Sequence, residues 1–421
     1  MSKMHDFHYQ DGELYCESVR VQDIAERVGT PFYLYSHKTF TEHLAKIQSA
    51  FRSLKPLICF SMKANSNLAV LRSLVKKGAG LDIVSSGELF RAKKAGCPPS
   101  KIVYAGVGKT DLEIEEAIRA GILLFNVESI QELGRIQKIA KKLRKKANVS
   151  LRINPDVDPG THAHITTGKA ESKFGLDMDT AHLIFMRSDQ YPHLSICGVH
   201  VHIGSQIVKG EPFVKAFRKV LLFLTHLEKE GHRIKYLNLG GGLGIIYSDE
   251  RPQTAEQFAK HVLPLFRSKK YKIIFEPGRF IAGNSGIFVS RVIYIKRTKA
   301  KNFAIIDGGM NDLIRPALYD SFHDIWPLHQ NGTAKRLTYD VVGPICESGD
   351  FLAKQRTIQE LKPGDLIAFA SAGAYGFSMS SNYNARPRVA EVLVRGSRFE
   401  IVRQRETYKD LIRGERIPSW V

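Results

Sequence analysis

Pro56-Leu57-Ile58-Cys59-Phe60-Ser61-Met62-Lys63-Ala64-Asn65 is an apolar run that ends on an amine. The stretch after it, 67–77, is amphipathic and is closed by Gly78. Together they have the form of one buried strand followed by one surface helix. An ammonium delivered into a core is costly unless it is paired or deprotonated. Lys63 is therefore expected to be buried with a lowered pKa, as a nucleophilic amine requires. The plainer reading is a stem that leaves the core and carries its charge to water. The surrounding chain decides between the two.

The same unit recurs. Strands are expected over 57–63, 81–85, 102–106, 122–127, 149–153, 196–203, 236–240 and 272–276, all short and rich in Ile, Val, Leu and Phe. Amphipathic stretches follow most of them, at 67–77, 87–95, 111–120, 129–146, 179–187, 212–230 and 254–267. Asp111 and Thr254 are expected to be N-caps, and Gly78, Gly96 and Gly121 to close helices. Eight β/α units predict an α/β fold of the (β/α)8 TIM-barrel type. An open doubly wound sheet is the alternative with the same alternation. Beyond residue 281 the pattern becomes β-rich and punctuated by Gly and Pro, as at Pro363-Gly364-Asp365. The expectation is a barrel over 30–280. Residues 1–29 and 281–421 would form a mostly-β domain, a sandwich or barrel, which the strand-like N-terminal segment Phe7–Tyr15 joins.

Composition narrows the classes of function. The 421 residues are 43% hydrophobic and 25% charged, ordinary for a globular protein. Neither a membrane-length apolar run nor a signal peptide is present, so no membrane association is expected. Five scattered cysteines with no CxxC pair favour reduced thiols in a cytoplasm over a disulfide framework or zinc site. The net charge of +20, from 62 Lys+Arg against 42 Asp+Glu, invites a nucleic-acid reading. The densest basic cluster, Lys138 to Lys146, lies opposite the apolar positions Ile136, Ile139, Ala140 and Leu143, which makes it a solvated helix face. No nucleic-acid partner is expected.

Chemistry in a barrel gathers at the C-terminal ends of the strands, and four strand endings there are unusual. Lys63 ends the first. The sixth ends in His200-Val201-His202-Ile203-Gly204-Ser205-Gln206, the seventh in Asn238-Leu239-Gly240-Gly241-Gly242, and the eighth in Glu276-Pro277-Gly278-Arg279. Three consecutive glycines let backbone approach an anion closely, although a tight turn is the plain alternative. His200 and His202 share one strand face, but no third ligand accompanies them, so no metal is expected. His202 suits stacking on a flat ring. Glu276 needs a cationic partner, either Arg279 or a protonated ring nitrogen. Gly106-Val107-Gly108-Lys109-Thr110 resembles a P-loop but has Val103 where that motif needs glycine. A lysine amine, an anion cradle, a stacking residue and a carboxylate are together what pyridoxal 5′-phosphate requires.

The chain resembles the pyridoxal-phosphate decarboxylases of the alanine-racemase/ornithine-decarboxylase fold, and among them the diaminopimelate decarboxylases. The resemblance runs from about Gly12 to near the C-terminus. It is carried by FSMKAN (60–65), GLDIVSSGEL (80–89), KFGL (173–176), HVHIGSQ (200–206), NLGGGLGI (238–245), EPGRF (276–280), MNDLIRPALY (310–319), GPICESGDFLA (343–353) and GAYGFSMSSNYNARPR (373–388). It implies that Lys63 carries the cofactor, His202 stacks on its ring and Glu276 pairs with its nitrogen. Ser205, Gly241, Gly242, Gly278, Arg279 and Tyr375 would help hold it. Arg279, Arg315 and Tyr319 would grip a distal carboxylate, with Tyr375 beside the substrate, Glu347 at its distal ammonium and Cys346 as proton donor. Cys346 and Glu347 would come from the neighbouring subunit, which implies a homodimer with shared sites. The implied activity is decarboxylation of meso-2,6-diaminopimelate to L-lysine, the last step of lysine biosynthesis. Ornithine, arginine, carboxynorspermidine or antibiotic-pathway decarboxylases are the alternatives on this fold, and a non-catalytic regulator is another.

Overall fold

The structure is a computed structural model that describes residues 5–158, 173–267 and 270–421. Two compact units divide the chain: Thr41–Ile246 with Glu250–Ile281, and Met1–Phe40 with Tyr247–Asp249 and Ala282–Val421.

The first unit is a closed barrel of eight parallel strands: β1 (Leu57–Ser61), β2 (Gly80–Ile83), β3 (Ile102–Tyr104), β4 (Leu124–Val127), β5 (Ala147–Arg152), β6 (Leu194–His200), β7 (Tyr236–Asn238) and β8 (Lys272–Phe275). Pairing of Ile274 with Leu57 and of Phe275 with Ile58 joins the last strand to the first. That ring closure excludes the open sheet.

Side chains alternate along a strand. Cys59, Leu124, Tyr236 and Ile274 fill the lower barrel interior as one buried cluster. Two residues on, the same inward faces carry Ser61, Asn126, Asn238 and Glu276. The barrel therefore changes from apolar to polar within one layer.

Capping residues fix where the helices begin. Asp111, expected as an N-cap, is the first helical residue of Asp111–Ala120. The cap is Thr110. Its hydroxyl accepts the Glu113 N–H at 3.3 Å, and the Glu113 carboxylate accepts the Thr110 N–H at 2.9 Å. Thr254 forms the same reciprocal box with Gln257. Gly121 closes its helix at φ 71°, in the left-handed region. The single helix expected over 254–267 stops at Val262 and continues as a 3₁₀ turn, Leu263–Phe266, because Pro264 supplies no backbone donor.

In the second unit a long sheet runs through Phe351–Gln359, Arg336–Val342, Asn302–Ile306, Gly286–Arg297, Phe32–Ser36, Ala390–Arg395 and Arg398–Arg403. Leu366–Phe369 also pairs with Gly286–Arg297 and with Ile325–Pro327. Phe32–Ser36 pairs antiparallel with Gly286–Arg297 and parallel with Ala390–Arg395. The expected N-terminal strand segment is a hairpin, Phe7–Gln10 with Glu13–Cys16, in a small sheet of its own. Its Phe7, Leu14 and Cys16 pack into the same core as Phe32, Leu34, Ile287 and Val392.

Candidate active site

Glu276 is the centre of the polar layer. It is buried just after β8, and its carboxylate accepts from Asn126 Nδ2 at 3.0 Å and from Asn238 Nδ2. His200 Nε2 lies 3.1 Å from its other oxygen. Burial pushes this carboxyl up, but His200 and the Asn238 amide outweigh it and hold the pKa below the ordinary value. Asp82, inward on β2, moves the other way. Burial and then the charge of Glu276 raise it, against Lys63 and a hydrogen bond from Ser61. Two carboxyls in one layer are thus shifted in opposite directions. Asp82 Oδ1, Asn126 Oδ1, Ser150 Oγ and His200 Nδ1 are buried there without a protein partner.

The rim above is built by glycine. A Cβ at Gly240 would stand 2.5 Å from Val201 O, at Gly241 2.2 Å from Glu276 O, and at Gly242 2.6 Å from Gly204 O. Only bare backbone fits these positions. The Gly241 N–H donates to His202 Nδ1 at 3.2 Å, which fixes the half-buried ring. Desolvation, with Arg152 and Lys63, pushes the His202 pKa well down, so the ring is neutral. Ser205 Oγ accepts from Arg279 Nη2 at 3.1 Å and Nε at 3.3 Å. Gly278 opens the turn into the short helix Arg279–Ala282.

Lys63 departs from expectation. β1 ends at Ser61, and the 3₁₀ turn Met62–Ala64 brings Lys63 to an exposed position. Burial is therefore not what activates it. Its charge bears on Asp82, Glu88 and His202. Glu88 itself is raised to about 7 by burial, against the Val84 N–H and Lys63.

Lys109, in the segment resembling a P-loop, has a buried side chain. Its Nζ donates to Gly106 O at 2.7 Å, Asn126 O at 3.0 Å and Glu132 Oε1 at 2.6 Å. A second buried pair, Arg152 with Glu128 at 2.8 Å, places that guanidinium 4.7 Å from the Phe174 ring.

Further sequence candidates lie in the second unit. Arg315 is buried. Its guanidinium faces the rings of Tyr247 at 5.4 Å, Tyr375 at 5.8 Å and Tyr319 at 6.0 Å, and it donates to Ser321 Oγ at 3.1 Å. Cys346 and Glu347 occupy an exposed loop. That loop is braced from within. Asp350 accepts the N–H groups of Met310 at 2.7 Å and Ile345 at 2.6 Å, and Asn384 Oδ1 accepts that of Cys346 at 2.8 Å.

Residues 37–283 match the family model described as pyridoxal-dependent decarboxylase, pyridoxal binding domain. The chain is 49% identical over 411 residues to the diaminopimelate decarboxylase of Vibrio cholerae, covering 97% of this chain and 98% of that one. It shares 40% identity and a TM-score of 0.90 with the Helicobacter pylori diaminopimelate decarboxylase solved with L-lysine, covering 93% and 98%. For the M. jannaschii enzyme, also solved with L-lysine, the values are 37% and 0.93, covering 98% of each chain. The chain belongs to the diaminopimelate decarboxylases. The family's cofactor is pyridoxal 5′-phosphate, and the barrel fits it. A glycine loop leaves no room for any Cβ, a neutral ring is fixed at the rim, and a carboxylate is kept ionised below for a cationic nitrogen.

The roles of Asp82, Asn126, Asn238 and His200 were not drawn from the sequence, although a signal existed. Asp82 and Asn126 interrupt apolar runs (Gly80-Leu81-Asp82-Ile83 and Leu124-Phe125-Asn126-Val127), as Lys63 ends one. For His200 the sequence suggests a ligand or a packed ring, and its contact with Glu276 has no local signal.

Proposed function

We propose that this protein decarboxylates meso-2,6-diaminopimelate at its D centre, giving L-lysine and CO2. The observation that carries this substrate is the buried guanidinium of Arg315. A guanidinium fork binds a carboxylate bidentately, and a diaminopimelate bears a second carboxylate that an ornithine lacks. The L-lysine in the two related structures agrees with the product.

Bound pyridoxal phosphate would supply an aldehyde reactive towards amines and a cationic ring that serves as an electron sink. The chain's own residues do the rest. Lys63 anchors the cofactor through its amine. Glu276, fixed by Asn126, Asn238 and His200, holds a proton on the ring nitrogen. His202 would help hold the cofactor ring and exclude water from it. Gly241, Gly242, Gly278, Ser205, Arg279 and Tyr375 hold the phosphate. Arg279, Arg315 and Tyr319 bind the distal carboxylate through charge-assisted and phenolic hydrogen bonds. Glu347 takes the distal ammonium, and Cys346 Sγ delivers a proton to Cα.

The roles of Cys346 and Glu347 are those of a homodimer in which each chain completes its partner's site. Their exposure on a loop already braced by Asp350 supports that reading. Among the described residues no helix is long and apolar enough to cross a membrane. A cytoplasmic location accords with five unpaired thiols.

The visible spectrum of the purified protein, followed by CO2 release from meso-diaminopimelate in competition with ornithine, tests the assignment. Imine absorbance and preference for diaminopimelate are expected, and Lys63→Ala abolishes both absorbance and CO2 release. A preparation still colourless after incubation with the cofactor, or a preference for ornithine, overturns it.

A further inference from the structure

Two imidazoles and one carboxylate converge on the outer face of the barrel, away from the residues described above. His182 lies in the helix after β5, Met178–Met186. His226 lies one turn before Glu230 in the helix after β6, Glu211–Lys229, which Glu230 caps at its C-terminal end. The spacing of four puts His226 and Glu230 on one helix face, and His182 meets them from the neighbouring helix. His182 Nε2 stands 3.0 Å from Glu230 Oε1 and 2.9 Å from Oε2, and His226 Nε2 stands 3.3 Å from Oε1. The two imidazole rings are 5.2 Å apart, and the three ligand atoms all lie within 4.8 Å of one another. Among the described residues this is the one group of three or more His, Cys, Asp or Glu side chains so arranged.

We propose that His182, His226 and Glu230 form a surface site for a borderline-soft divalent cation of the zinc, cobalt or nickel kind. The cation would clasp the two helices together. Imidazole nitrogens select such ions over magnesium and calcium, which take oxygen ligands. Zinc binds imidazole nitrogen and carboxylate oxygen at about 2.0–2.2 Å, so neighbouring tetrahedral ligands stand roughly 3.3 Å apart. Both nitrogen–oxygen separations already lie near that spacing. The remaining closure, between the two Nε2 atoms, is a side-chain rotation open to His226, which is 62% exposed. Three protein ligands leave a fourth position for water. The plain alternative is a carboxylate hydrogen-bonded by two histidines, with no affinity for metal.

The test uses holoenzyme freed of metal with a chelator, then dialysed against zinc, with cobalt as a spectroscopic probe. One zinc per chain is expected, with visible cobalt bands and a thermal midpoint that rises with zinc concentration. His182→Gln, His226→Asn and Glu230→Gln should each weaken zinc binding by about tenfold or more and leave decarboxylation unchanged. Cys346→Ser, which removes the exposed thiol, should still bind the ion. Zinc binding that is absent, that survives all three ligand variants, or that disappears with Cys346→Ser overturns the proposal.

Discussion

Gly241→Ala is a one-carbon perturbation whose cost follows from the position of one atom. The new Cβ would stand 2.2 Å from Glu276 O and 3.0 Å from its carbonyl carbon. Both are backbone atoms, so no side chain can rotate away. Relief to an ordinary contact moves the Gly241 and Glu276 segments apart by about 1 Å. The hydrogen bond from Glu276 N to Gly240 O, at 2.7 Å, lies directly between them and is lost. Overpacking of this kind costs about 1–3 kcal/mol, and the hydrogen bond adds about 1 kcal/mol. The expected loss in urea denaturation is about 2–4 kcal/mol. Glu276 shifts with its backbone, so cofactor affinity, read by absorbance titration, falls as well. Gly134→Ala is the control. It lies inside Ile130–Lys142 with nothing within 4 Å of its added Cβ, and should stabilise by about 0.5–1 kcal/mol. If Gly241→Ala matches wild type in both stability and cofactor affinity, the rim is not tightly packed at this position.

Arg315→Met keeps the stem and removes the guanidinium. Loss of two charge-assisted bonds lowers kcat/KM for diaminopimelate by roughly 10²–10⁴, seen mainly in KM, and an unchanged KM refutes the substrate assignment. Equal mixing of inactive Lys63→Ala and Cys346→Ala chains should restore about a quarter of wild-type activity if sites are shared in a two-fold dimer; no recovery after subunit exchange refutes sharing. His202 has a depressed folded pKa, so below about pH 6.5 the unfolded chain takes a proton that the native one refuses. The apoprotein therefore loses stability as pH falls through that value, and His202→Asn should flatten the slope in urea midpoints. Glu88, raised to about 7, has the opposite sign: its contribution is lost as pH climbs from about 4.5 to 7, and Glu88→Gln should flatten that limb.

Period and punctuation made the barrel legible. All eight strands were found because each is a short apolar run followed by an amphipathic stretch. Phe32–Ser36 was missed for a physical reason. All five of its residues are buried, so it shows no alternation, and five residues between two helices carry little signal. Aspartate often caps helices, which makes Asp111 the sequence candidate, whereas the reciprocal bonds of Thr110 and Glu113 decide the helix start. In the site, residue types such as Glu276 and the three glycines announced themselves. Partners did not. Arg279 was the expected protein partner of Glu276, yet two asparagines and a histidine from other strands surround that carboxylate. Long-range pairing of this kind has no local pattern.

The contrast between two lysines corrects the reasoning about reactivity. Lys63 and Lys109 each follow a barrel strand, and burial alone would select Lys109, whose side chain is 1% exposed. Yet an ammonium has three donors, and Lys109 places all three, on two carbonyls and a carboxylate. Freeing its lone pair would break a buried ion pair and leave Glu132 uncompensated. Lys109 therefore serves as a fixed tie between the segment after β3 and the helix after β4. Lys63 sits on a turn, exposed, above a layer whose two carboxyls are shifted in opposite directions. An amine that must exchange partners needs access first, and the 3₁₀ turn after Ser61 supplies it. Low dielectric at such a site has to come from what binds there, not from the strand that leads to it.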